Sequence, residues 1–313
     1  MSILVTGSIA YDTIMVFPDR FRNHLLADQL HILNVCFLAP EMRREFGGTA
    51  GNIGYNLKLL DEEPLVMATV GDDIQPYLER FEALGIPTRL FTRVPGEFTA
   101  QGFITTDLDD NQITAFHPGA MNHSHKNRVT RGLGARLAII APDGKEGMLQ
   151  HARECAAAAV PFVFDPGQGL PMFSGDEIGE FVRLADYVAV NDYEGKLLEE
   201  KTGRRLEALA REVKALVCTL GAKGSLILAD GKRYEVPCVR ADAVVDPTGC
   251  GDAYRAGLLY GIARGWDWES TGRLGAVMGA LKIARRGAQN HAATRDEVDG
   301  RFRSAFGYSP WRQ

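Results

Sequence analysis

The sequence predicts an α/β fold: a mostly parallel sheet with helices on both faces, plus a small β lid. Two observations carry this. From residue 137 onward, short apolar runs alternate with helical patterns. Before that, the stretches 13–46 and 99–116 break the alternation, the second as a hairpin. A structured insertion beside a pocket is more often a lid or an interface than an idle loop.

Taken in order, residues 3–8 read as a buried strand ending in a turn, with Asp12 just past its carboxyl end. Ligands of open α/β sheets sit outside such ends, so Asp12 is placed to meet one; a plain turn-forming Asp is the alternative. Residues 13–46 are irregular. Gly47-Gly48-Thr-Ala-Gly51-Asn52 then opens a helix, with glycines that either admit a ligand or pack the helix tightly. Residues 65–70 are a strand, and Gly71-Asp72-Asp73 is expected to cap a helix reaching Gly85. Strands 99–106 and 112–116 flank the polar turn 107–111.

Beyond 137, strands are predicted at 137–141, 162–165, 187–190, 215–219 and 225–229. Helices are predicted at 146–159, after the capping box Ser174-x-x-Glu177, at 194–201, 206–214, 268–285 and, after Thr294-x-x-Glu297, at 295–305. A strand-like run, Ala243-Val244-Val245, leads into Asp246-Pro-Thr-Gly249-Cys250-Gly251-Asp252 and a further helix. That turn would aim free N–H groups, at the positive end of a helix, at an anion. A carboxylate there repels phosphate, so Asp252 is suited instead to take a proton from an attacking hydroxyl; the alternative is a capping Asp. Cys250 reads as a small filler rather than a nucleophile.

The chain has 313 residues, 45% of them apolar and 24% charged, enough to bury a large core. A net charge of −5 with scattered basic residues gives no nucleic-acid surface. Five widely spaced cysteines without Cys-x-x-Cys indicate neither zinc nor disulfides and fit a reducing cytoplasm. No basic region precedes Ile3, which predicts no signal peptide, and the apolar run 155–164 is too short to span a bilayer, so no membrane partner is expected. Walker A, Gly-x-Ser-x-Gly and Gly-x-Gly-x-x-Gly motifs are absent. Asn191-x-x-Glu194 could hold a hydrated Mg²⁺ through water or simply cap a helix. Thr219-x-Gly221-x-x-Gly224 could cradle a nucleotide or be a hairpin turn. His117, His123 and His125 crowd one loop without an acidic or Cys partner at ligand spacing.

Gly47-Gly48-x-x-Gly51-Asn52, Asn191-x-x-Glu194, Thr219-x-Gly221-x-x-Gly224 and Asp246-x-Thr-Gly-x-Gly-Asp252 occur in one order over nearly the whole chain. Together they resemble the ribokinase-like (pfkB) family of sugar and nucleoside kinases. Gly7-Ser8-Ile-Ala-x-Asp12, Phe17-Pro-x-Arg-Phe21 and Pro118-Gly-Ala-Met121 are similar to bacterial adenosine kinases of that family. The resemblance implies transfer of the ATP γ-phosphate to a nucleoside 5′-hydroxyl. It implies Asp252 as base, with Gly249, Cys250 and Gly251 as anion hole. It places Asp12, Ser8, Gly48, Asn52, Met121, Phe116 and Gln168 at the nucleoside, and Asn191, Thr219, Gly221, Gly224 and Gln289 at ATP. It assigns Mg²⁺ to Glu194 through water, K⁺ to Asp246 and Thr248, and a possible homodimer to the lid. The implied body is 1–12, 47–96 and 119–313, with lid segments 13–46 and 97–118. The chain departs from those adenosine kinases at the base pocket. Gly102 stands where they carry an aromatic, and Gln168-Gly169 where they carry two glutamines. Phe103 and Phe116 are expected to stack on the base instead, and Gln168 to read its edge. A free sugar or sugar phosphate as acceptor is the other reading, with Arg20, Arg43, Arg44 or Arg93 as the basic clamp that a sugar phosphate would need.

Overall fold

The computed structural model describes residues 2–25, 34–109 and 111–312; positions 26–33 of the irregular 13–46 stretch lie outside the described residues. The first half of the chain runs β1 (Ser2–Thr6), β2 (Ala10–Val16), β3 (Glu41–Gly47), α1 (Thr49–Leu59), β4 (Pro64–Val70), α2 (Gln75–Ala83), β5 (Leu90–Arg93), β6 (Ala100–Thr106) and β7 (Gln112–His117). The second half runs β8 (Ala135–Ile140), α3 (Lys145–Ala158), β9 (Phe162–Phe164), α4 (Gly175–Leu184), β10 (Tyr187–Asn191), α5 (Asp192–Thr202), α6 (Leu206–Leu209), β11 (Ala215–Thr219), β12 (Ser225–Ala229) and β13 (Lys232–Val236). Helices α7 (Cys250–Arg264), α8 (Trp268–Ile283) and α9 (Arg295–Phe306) close the chain.

Nine strands form one sheet in the order β13-β12-β11-β10-β9-β8-β1-β4-β5, and four form a second in the order β3-β2-β6-β7. All pairings from β11 to β5 are parallel; the pairings β11–β12 and β12–β13 are antiparallel. The parallel strands read as continuous apolar runs because both faces are covered. Apolar residues of α1, α2 and α7 pack on one face, and those of α3, α4 and α5 on the other. Helices α7 and α8 touch backbone to backbone: a methyl on Gly257 would come within 2.7 Å of the Gly275 nitrogen. Among the described residues, no helix is long and apolar enough to cross a membrane.

Several local expectations are corrected. The run Ala243–Val245 is not a strand; Val244 is exposed, and Val245 donates its N–H to the Ile283 carbonyl at the end of α8. The helix expected over 206–214 stops at Leu209, and the Lys214 N–H turns to the Asp186 carbonyl to enter β11. Neither Asp72 nor Asp73 caps α2, whose cap residue is Ile74. Asp72 accepts from the Gly96 N–H, and Asp73 accepts from the Thr99 N–H and the Gln101 amide, tying β6 to the body. Two strands of the nine-stranded sheet escape the apolar pattern. β5 has four residues, and β13 is a charged edge strand, a composition that blunts edge pairing.

Candidate active site

The turn before α7 is built by Asp246. Its carboxylate accepts the N–H groups of Thr248 at 2.9 Å and Gly287 at 2.8 Å. Burial pushes its pKa up, but these donors outweigh it and hold the group below the ordinary carboxylate range. Gly249 takes φ +79°, left-handed, and a Cβ there would meet Ala288 at 2.8 Å, so the position needs glycine. Of the three N–H groups expected to face an anion, that of Cys250 already donates to the Pro247 carbonyl at 3.1 Å. The N–H groups of Gly249, Gly251 and Asp252 have no acceptor among the described residues. They are the free donors at this helix start, and Gly251 faces open space. The Cys250 thiol is pushed up to about 11 by burial, in keeping with a filler.

Asp252 lies in the first turn of α7. Burial first, and Asp165 behind it, push its pKa up to about 7, while Asn52 and Arg255 pull it down. The Asn52 amide donates to Asp252 Oδ2 at 2.8 Å, and Oδ1 has no partner among the described residues. Asn52 Oδ1 in turn accepts from Gln289 Nε2 at 3.0 Å, and the same Nε2 lies 2.7 Å from the Tyr77 hydroxyl. That hydroxyl donates to the Gly47 carbonyl at 2.8 Å, at the end of β3. Gln289 is buried. Its amide donates to Asn52 from behind.

The second sheet carries Asp12. In its register Glu45, Asp12, Gly102 and Phe116 form one transverse row, so their side chains share a face. A Cβ on Gly102 would sit 2.9 Å from Asp12 Oδ1. Glycine thus leaves a slot between a carboxylate and an aromatic ring. Phe103 belongs to the next row, with Thr13 and Ala115, and faces the other side. Its expected stacking role is therefore corrected, and Phe116 alone lies on the Asp12 face. Burial, then Glu45 and Asp246, push Asp12 up to about 6. Ser8 is buried and accepts the Thr49 N–H at 3.1 Å, which starts α1. Gly48, at φ +85°, leaves only 2.5 Å between an added Cβ and the Ala10 nitrogen. Met121 lies in the 3-10 helix after β7, and Gln168 is exposed in the one after β9.

On the opposite flank, Asn191 and Thr219 are register partners at the carboxyl ends of β10 and β11. Asn191 and Glu194 form a reciprocal capping box, and Glu194 also accepts the Asn191 amide at 2.7 Å. Gly221 and Gly224 make the left-handed turn into β12. Under this flank lies a buried ion pair that sequence reasoning missed. Arg255 donates twice to Asp165, each at 3.1 Å, and lies 3.9 Å from Glu194. Its signal was a charge three residues after Asp252 in an otherwise small, apolar helix. Tyr77 left no such signal, because an aromatic on an amphipathic helix reads as core.

The model of the pfkB family of carbohydrate kinases matches residues 10–295. The structure of a Burkholderia thailandensis nucleoside kinase in complex with inosine is 53% identical, with a TM-score of 0.90 and 99% of each chain covered. The same protein in complex with ADP-inosine gives 54% identity and a TM-score of 0.87 over 99% of this chain and 97% of that one. A nucleoside kinase of Methanocaldococcus jannaschii is 31% identical over 85% of this chain and 88% of its own length. With a match over most of its length, the chain belongs to the pfkB family of carbohydrate kinases and is an ATP-dependent phosphotransferase.

Proposed function

We propose that this chain is a nucleoside kinase that moves the ATP γ-phosphoryl group to the 5′-hydroxyl of a purine nucleoside, converting adenosine to AMP and accepting inosine as well. One observation carries the nucleoside reading: the row Asp12, Gly102, Phe116. A carboxylate suits two ribose hydroxyls, a side-chain-free slot admits a flat group, and an aromatic ring offers it a stacking face. The names of the relatives support the same class. A sugar phosphate would need a free basic clamp. Arg20 pairs with Asp109, Arg43 with Glu45, Arg44 with Asp73 and Arg93 with Asp72.

Asp252 takes the proton from the 5′-hydroxyl as that oxygen attacks phosphorus. With a pKa of about 7 it is divided between acid and carboxylate near neutral pH, and the carboxylate is basic enough to accept a proton. The N–H groups of Gly249, Gly251 and Asp252 lie where charge develops on the transferring group. Thr219, Gly221 and Gly224 line the nucleotide side with Asn191. The donor set Asn191 and Glu194, already paired through its cap, fits a hydrated Mg²⁺ met through water. Bound with ATP, Mg²⁺ would neutralise phosphate charge. The second sheet, β2, β3, β6 and β7, closes as a lid over the nucleoside and excludes water as a competing acceptor. The outer lid face exposes Met42, Phe103 and Ile113, and a second copy covers it; light scattering of the purified protein tests this. Free, scattered cysteines fit a cytoplasmic setting.

The test is ADP release over adenosine, inosine, guanosine, cytidine, ribose and fructose 6-phosphate. Purine nucleosides should give the highest kcat/KM. If ribose or fructose 6-phosphate alone supports turnover, the nucleoside reading fails.

A further inference from the structure

The family resemblance implies a K⁺ ion beside Asp246 and Thr248, and the residues around that turn do not fit one. Lys282, near the end of α8, has a fully buried side chain. Its ammonium donates to the Asp246 carbonyl at 2.7 Å and to the Arg285 carbonyl at 3.0 Å. It also lies 3.9 Å from the Asp246 carboxylate. Backbone carbonyls and a carboxylate around one positive charge are the ligands a desolvated monovalent cation would ask for. Here a covalently held ammonium has them, and a second cation in the same space would meet like charge at close range.

We infer that Lys282 is a built-in monovalent cation: its ammonium stands in for K⁺ behind the anion-binding turn and makes the phosphotransfer independent of added K⁺. A helix C-cap explains the bond to the Arg285 carbonyl, since cations favour that end. It does not explain the bond to the Asp246 carbonyl, 36 residues away in sequence. That bond joins the end of α8 to the first residue of the turn. The Val245 and Asp246 N–H groups meet the Ile283 carbonyl from the other side. Lys282 is therefore a positioning residue: it fixes the loop that carries the Gly249 and Gly251 donors and adds positive charge behind them.

The inference rests on the phosphotransferase reading of the turn and not on the choice of acceptor. Three measurements test it. First, wild-type kcat with the best acceptor should agree to within about twofold in KCl, NaCl and choline chloride at equal ionic strength. A K⁺ requirement overturns the inference. Second, Lys282→Ala should lose ~10²-fold or more in kcat in choline chloride and recover with KCl, because the vacated space admits the ion. Lys282→Met, which fills the space, should lose as much and not recover. An Ala variant that is equally active in all salts, or equally impaired in all, overturns it. Third, without any acceptor, ²⁰⁵Tl NMR should show no saturable Tl⁺ site in the wild type and one in Lys282→Ala. Tl⁺ bound by the wild type overturns the inference even if both variants fail to fold.

Discussion

The side-chain amide of Asn52 donates to the Asp252 carboxylate at 2.8 Å, joining residues 200 positions apart. The bond favours the charged carboxylate and so lowers a pKa that burial raises. Asn52→Ala removes that donor. The Asp252 pKa should rise further, and the acid limb of the kcat profile should move to higher pH. The KM for nucleoside should rise too, since Asn52 is proposed to meet the ribose. A pH profile that stays in place would detach Asn52 from the tuning of Asp252.

Asp252→Asn removes the proton acceptor and keeps the shape. Turnover should fall by ~10²–10⁴, with adenosine affinity by calorimetry near wild type. The residual rate should also lose the rise near pH 7 that the wild-type group imposes. Near-normal turnover in this variant would remove Asp252 from the role.

Much of this site is legible in the sequence because close backbone approach demands glycine. Gly48, Gly249 and Gly224 all sit at positive φ, and the motifs around them fall in one order. What was not legible is what lies behind the motifs. The resemblance places Gln289 at ATP, and only the fold shows its hydrogen bond to Asn52. Arg255, Asp165 and Lys282 are charges whose side-chain partners lie 36 to 90 residues away, beyond the reach of any spacing rule. The face carried by Phe103 depends on strand register, and a shift of one residue reverses it.

Gly102→Ala tests the slot beside Asp12. The new methyl would stand 2.9 Å from the Asp12 carboxylate and displace it. The KM for nucleosides should rise about tenfold or more with a smaller change in kcat, because the contact is made in both ground and transition states. Unaltered KM would mean that the row Asp12, Gly102, Phe116 does not hold the nucleoside.

Arg255→Met leaves Asp165 and Glu194 buried without their cation. Breaking such a pair from one side costs ~3–5 kcal/mol. Urea unfolding should show that loss, and ligand-free folding should suffer along with activity. A variant of wild-type stability would mean that the Arg255 guanidinium does not hold this buried pair together.

Asp143 gives a pH-dependent stability whose sign is opposite to that of a salt-bridged carboxylate. The group is buried after β8, and burial pushes its pKa up to about 8 against the donors Gly144 N–H and Ser124. Between the unfolded value of 3.8 and about 8, the folded state holds a proton that the unfolded state has lost. Stability therefore falls as pH rises through that window and levels off above it. Asp143→Asn cannot titrate, and its Oδ1 can still accept the Gly144 N–H while its amide faces the Ser124 hydroxyl. The variant should gain little over wild type at the acid end of the window and most above about pH 8, read as urea midpoints at both ends. A gain that is the same at both pH values would show that the carboxyl is not protonated in the fold.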